Sequence, residues 1–191
     1  MNAKEILKGL IKKKIKEKVS NQNFEIRENE SSISLYNKKL NIRGYVSVHE
    51  HNGRIGVDSD YRKMKKVKNL EVLENLANEA IYTIKFNYNR ALREKAEEIF
   101  LDIVTMKLRN HNITEERDNS KYYFTKFITE VSVGVKTEER YRGTFCRIKR
   151  DKIILENILP EDTEILSTII NIYNEAESKV KEIENQNCLK C

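Results

Sequence analysis

The densest charge in the chain is Arg62-Lys63-Met64-Lys65-Lys66-Val67-Lys68, five basic residues in seven with no acid among them. Lys12, Lys13, Lys14 and Lys16 form a second cluster near the N-terminus. Arg140 and Arg142, then Arg147, Lys149, Arg150 and Lys152, form a third. Cations at this density suit the neutralisation of phosphates, a contact that is sensitive to salt and indifferent to sequence. Tyr61, Tyr141 and Phe145 lie beside these clusters and offer rings on which bases can stack. The competing explanation is a solvated, lysine-rich surface.

Other spacings point to other chemistries. His49 and His51 stand two apart in a strand-like run, so both imidazoles face one side and suit a metal, with Asp58 or Asp60 nearest as a further ligand. An exposed polar hairpin tip is the favoured explanation of the pair, so no metal is assigned. Cys188-Leu189-Lys190-Cys191 has C-x-x-C spacing, but a redox site of that kind opens a helix inside a folded unit. Carboxylate pairs such as Asp58/Asp60 and Glu28/Glu30 suit Mg²⁺ and phosphodiester chemistry, yet with 30 acidic residues such pairs arise by chance. No Gly-rich phosphate loop, G-x-S-x-G or H-E-x-x-H occurs. An enzyme is therefore the least favoured class, and no cofactor is expected.

The 191 residues carry a net charge of +6, too modest to imply nucleic acid by itself. Apolar residues make up 39% of the chain, enough for a core. Three cysteines, two of them in the last four residues, do not make a disulfide framework and suit a reducing compartment. No apolar run approaches the ~18–20 residues that span a bilayer. A cytoplasmic protein with no membrane partner is expected.

Positioning these residues requires elements, and periodicity supplies them. Residues 3–19 carry an apolar stripe at helical spacing: Ile6, Leu7, Leu10, Ile11, Ile15 and Val19. Residues 24–60 alternate with period two, and Asn52-Gly53 between two such runs predicts a tight hairpin. From about 69 to 110 there is neither Gly nor Pro, and the helical period predicts one long helix or two meeting near Asn87-Tyr88-Asn89. Residues 112–120 read as a loop. Residues 121–136 are aromatic and β-branched and read as one or two strands, with a hairpin around Glu138-Glu139-Arg140 leading to 143–149. Pro160-Glu161-Asp162 opens a last helix.

The order helix, strands, hairpin, helix thus occurs twice. The expected fold is α+β, with two similar helix–antiparallel sheet–helix halves joined through a long helical stretch. The halves span 1–90 and 91–183, packed together, and 184–191 is a flexible tail. Residue echoes accompany the repeat. Ala3, Glu5, Ile6 and Lys14 match Ala96, Glu98, Ile99 and Lys107. Val46-Ser47-Val48 matches Val131-Ser132-Val133, and Ile81, Thr83 and Ile84 match Leu166, Thr168 and Ile169. Duplication places the clusters 62–68 and 140–152 at equivalent points, between last strand and last helix. The functional expectation is a non-enzymatic nucleic-acid-binding protein that contacts phosphates through its basic clusters. The alternative is a protein-interaction or structural module of viral or mobile-element origin, with another protein or a second copy as its partner.

Overall fold

A computed structural model describes residues 2–19, 22–58, 63–115, 120–136 and 141–189, the side chains of Tyr141 and Arg142 excepted. Helix α1 (Ala3–Lys18) starts where the Asn2 side chain accepts a hydrogen bond from the Lys4 N–H, satisfying one of the first turn's free donors. Five strands follow: β1 (Phe24–Glu28), β2 (Ser32–Asn37), β3 (Ile42–His51), β4 (Arg54–Val57) and β5 (Lys65–Lys66). Helix α2 (Leu70–Asn110) is continuous over 41 residues, so the propensity dip at 87–89 does not divide it. Then come β6 (Tyr122–Lys126), β7 (Val131–Lys136), β8 (Tyr141–Lys149), β9 (Lys152–Leu155), a 3-10 turn at Pro160–Asp162 and α3 (Thr163–Asn187).

The fold is α+β, with one plan used twice. Each sheet is an antiparallel meander whose strands lie in chain order, β1 to β5 and β6 to β9, with α2 between the two sheets in sequence. The chain divides into two compact units, Met1–Arg93 with Cys188–Cys191, and Glu94–Asn187. The boundary falls inside α2, and each unit has its own core. In the first, Leu7, Ile11 and Ile15 of α1 and Leu73, Leu76, Ala77, Ala80 and Ile84 of α2 pack with Ile33, Leu35, Val46 and Val48 of the sheet. In the second, Ala96, Phe100, Leu101 and Val104 of α2 and Ile169, Ile172, Ala176 and Val180 of α3 pack with Phe124, Val131, Val133, Phe145 and Ile148.

The turns of the first sheet follow from asparagine chemistry. Asn29 Oδ1 accepts from the N–H groups of Ser31 and Ser32 at 3.0 and 2.7 Å and closes β1 onto β2. Asn37 Oδ1 does the same for Lys39 and Leu40 between β2 and β3, while its amide donates to the buried Tyr88 hydroxyl at 2.9 Å. Asn52 and Gly53 both take positive φ, 49° and 71°, the geometry a two-residue hairpin with the right twist demands.

Residues 121–136 are two strands, and their turn at 127–130 lacks the Gly, Pro or Asn that would announce it. Residues 147–149 end β8, within the expected strand, but 150–152 are a turn and the start of a further strand, β9, not expected from the sequence. Lys65 and Lys66 likewise form the last strand of the first sheet, so neither cluster lies wholly between last strand and last helix. The turn at Glu138-Glu139-Arg140 lies outside the described residues. The echo of Val46-Ser47-Val48 in Val131-Ser132-Val133 joins the third strand of one sheet to the second of the other. The duplication lies in the order of elements and does not rest on that echo.

Helix α3 extends to Asn187, through four residues expected in the tail. Beyond it Leu189 packs on the first core, and Asn89 holds its backbone on both sides. The Asn89 amide donates to the Leu189 carbonyl, and Asn89 Oδ1 accepts from the Leu189 N–H, each at 3.2 Å.

Candidate nucleic-acid interface

Alternation in β1–β3 sends every second side chain away from the helices. Ile42, Gly44, Val46 and Val48 face the core, so Arg43, Tyr45, Ser47 and His49 face outward. The pairing register brings Arg27, Ser34 and Tyr45 abreast, Tyr36 beside Arg43, and Ser32 beside Ser47. Paired residues share a face, so these side chains form one polar surface opposite the buried one.

That surface is a shallow groove of about 610 Å³, lined chiefly by Arg27, Ser34, Tyr36, Arg43, Tyr45 and Ser47. Two arginines lie on two tyrosines. The Arg27 guanidinium carbon is 3.5 Å from the Tyr36 ring centroid, and that of Arg43 is 5.5 Å from the Tyr45 centroid. The Tyr36 hydroxyl donates to Asn41 Oδ1 at 2.7 Å, which fixes the ring's plane. Glu25 accepts from Arg27 at 3.3 Å. Arg43 has no acidic partner among the described residues. Tyr45 keeps 48% of its surface exposed, so its ring is open to a ligand.

Comparison of the chain with protein-family models, with curated proteins and with solved structures finds no significant match.

The residues expected to contact phosphates lie elsewhere, and many carry a counter-charge. Lys12, Lys13 and Lys16 line an open depression on the outer side of α1 with Gly9 and Glu17. Because α1 covers the buried face of the first sheet, this depression is on the opposite side of the unit from Tyr36 and Tyr45. Lys12 donates to Glu28 at 2.7 Å. Lys65 and Lys66 form β5, at the far edge of the sheet from β1, and Lys65 is paired with Glu79 at 2.6 Å. Lys63 and Lys68 flank that strand and are exposed.

In the second unit Arg147 is paired with Glu156, Lys149 with Glu130 and Arg150 with Glu184, while Lys152 is exposed. Arg62 and Arg140 lie outside the described residues, as does the side chain of Arg142. The clusters at α1 and β5 thus do not line the arginine–tyrosine groove, and the cluster at β8–β9 belongs to the other unit.

His49 faces outward beside Gly56, and His51 ends β3 opposite Arg54. Among the described residues no three His, Cys, Asp or Glu side chains converge as metal ligands. Asp60 and Cys191 lie outside them. Cys146 is buried, and burial pushes its thiol up to about 12, so it is inert as a nucleophile.

The outward face of the second sheet is closed where the first is open. Tyr123 is buried there, its ring lying across Gly134, where any Cβ would run into it. Arg147 shares that face and is held by Glu156. Among the described residues, such arginine–tyrosine pairs occur in the first unit. The signal for them was present in the sequence: the alternation that marks Ile26, Leu35, Gly44 and Val46 as inward also marks Arg27, Tyr36, Arg43 and Tyr45 as a single outward set.

Proposed function

We propose that the open face of the first sheet binds single-stranded nucleic acid without catalysing a reaction on it. Two stacked arginine–tyrosine pairs on an exposed sheet carry this reading. Flat rings and guanidinium planes accept any base, and the arginine charges attract the backbone. Tyr36 and Tyr45 are diagonal neighbours across β2 and β3, which sets their Cα atoms ~7–8 Å apart. That spacing suits two successive bases of an extended strand. The lysines of α1 and β5 add to the positive field that draws the strand in, without touching the bases. No helix among the described residues is long and apolar enough to cross a membrane.

Fluorescence anisotropy with a labelled single strand of about ten nucleotides tests the reading. Replacing Tyr45 by Ala removes one stacking platform and should weaken binding about 5- to 100-fold, the range of one base–aromatic stack. Arg43→Ala should lower the salt slope by about 0.7, the loss of one phosphate contact on a single strand. Binding that survives both changes intact would remove the groove from the account.

A protein-contacting role has its own support in Tyr82 and Phe86, which stand one turn apart on α2 with 67% and 60% of their surfaces exposed. A second copy on that face would reveal itself as a concentration-dependent mass in light scattering.

A further inference from the structure

The groove has two chemically distinct ends. At one, Arg27, Tyr36, Arg43 and Tyr45 supply rings and charge. At the other, Ser31, Ser32 and Ser47 supply hydroxyls beside Asn29 and the acid Glu28, with no cation in the lining, while Ser34 stands in the middle row abreast of Arg27 and Tyr45. Two of these hydroxyls are already committed: Ser34 Oγ donates to the Arg27 carbonyl at 3.4 Å, and Ser32 Oγ donates to Asn29 Oδ1 at 2.9 Å. The Ser47 hydroxyl makes no hydrogen bond among the described residues. It is half-buried, opposite Ser32 and two residues along β3 from Tyr45. Side chains at i and i+2 of a strand share a face about 6.5–7 Å apart.

A hydroxyl beside a stacking ring, on the side without cations, suits a neutral polar group better than a phosphate. In a nucleotide whose base lies on Tyr45, the neutral polar group nearest the base is the sugar. Its 2′-hydroxyl both donates and accepts, as a serine does, and only RNA carries it.

We infer, resting on the single-strand reading above, that the groove selects RNA over DNA, with Ser47 meeting the 2′-hydroxyl of the nucleotide stacked on Tyr45.

The probes are oligo(U) and oligo(dU) of equal length, which differ only in that hydroxyl. The inference expects oligo(U) to bind about tenfold more tightly, the size of one added hydrogen bond at a bound site. Ser47→Ala should bring the oligo(U) affinity down to that of oligo(dU) and leave oligo(dU) where it was. The unchanged oligo(dU) affinity also reports that the variant is folded. Equal affinity of the native protein for both strands overturns the inference and leaves the single-strand reading standing. A preference for RNA that Ser47→Ala preserves overturns the role of Ser47. If neither strand binds, both readings fall.

Discussion

Glu28 ends β1 and accepts from Lys12 at 2.7 Å, and Lys8 Nζ stands 3.4 Å from its other oxygen. The Lys12 hydrogen bond is the main reason its carboxyl titrates below the ordinary glutamate value of 4.5. Lys8 itself is buried, held also by Glu5 and by the Asn29 carbonyl. A lysine within an N-terminal cluster reads as a solvated charge; here the β1–β2 turn covers it, a long-range contact that helical spacing does not encode. Because the folded carboxyl is the stronger acid, its contribution is full above the ordinary range and is lost as pH falls through the depressed value. Glu28→Gln should therefore cost about 0.5–1 kcal/mol at pH 7, the range of a solvent-screened ion pair, since Lys8 keeps Glu5 and the Asn29 carbonyl. It should lose less than the native protein on going from pH 5 to pH 3, which urea unfolding at the three values measures. The cysteines diverge in the same way: Cys146 is buried and Cys188 exposed. Iodoacetamide at pH 8 should alkylate Cys188 within minutes and leave Cys146 unmodified until the protein unfolds, as peptide mass spectrometry would show. Rapid native labelling of Cys146 contradicts the packing of the second core.

Where elements were legible, a local signal announced them. The stripe of α1, the alternation of β1–β4, the Asn-Gly turn and the Gly-free length of α2 are all in the residues themselves. The β6–β7 turn and the β8–β9 hairpin have no such signal, since pairing partners set them and not turn chemistry. Two glycines show how element packing decides what one residue type means. Gly44 lies where α2 crosses β3; a Cβ there would strike the Ile84 carbonyl oxygen and approach Tyr88 Cβ and N at 2.6 and 2.8 Å. Gly9 is on the exposed side of α1 with nothing within 4 Å of a Cβ. Gly44→Ala should destabilise by about 1–3 kcal/mol, the cost of forcing atoms into a filled space. Gly9→Ala should stabilise by about 0.5–1 kcal/mol, because a helix interior favours alanine. Paired thermal melts of the two variants check both signs at once.

The whole chain repeats one plan, helix, antiparallel meander, helix, and gives its two sheets different surfaces. Element order made the repeat readable before any coordinate. Its surface chemistry is harder to read along the chain, because the fold sorts charge by face. Three cations of the 147–152 segment are spent on Glu156, Glu130 and Glu184, acids 9 or more positions away, and no window of sequence reveals such pairs. The arginines and tyrosines of β1–β3 look sparse in sequence and stand together only once β1, β2 and β3 are in register. The central claim is thus a claim about one face. Amide chemical-shift mapping during titration with oligo(U) tests it most directly. The account predicts shifts concentrated at Arg27, Tyr36, Arg43, Tyr45 and Ser47, with the outer side of α1 and residues 147–152 little changed. Shifts confined to α1, to 63–68 or to 147–152, with β1–β3 unmoved, would contradict it.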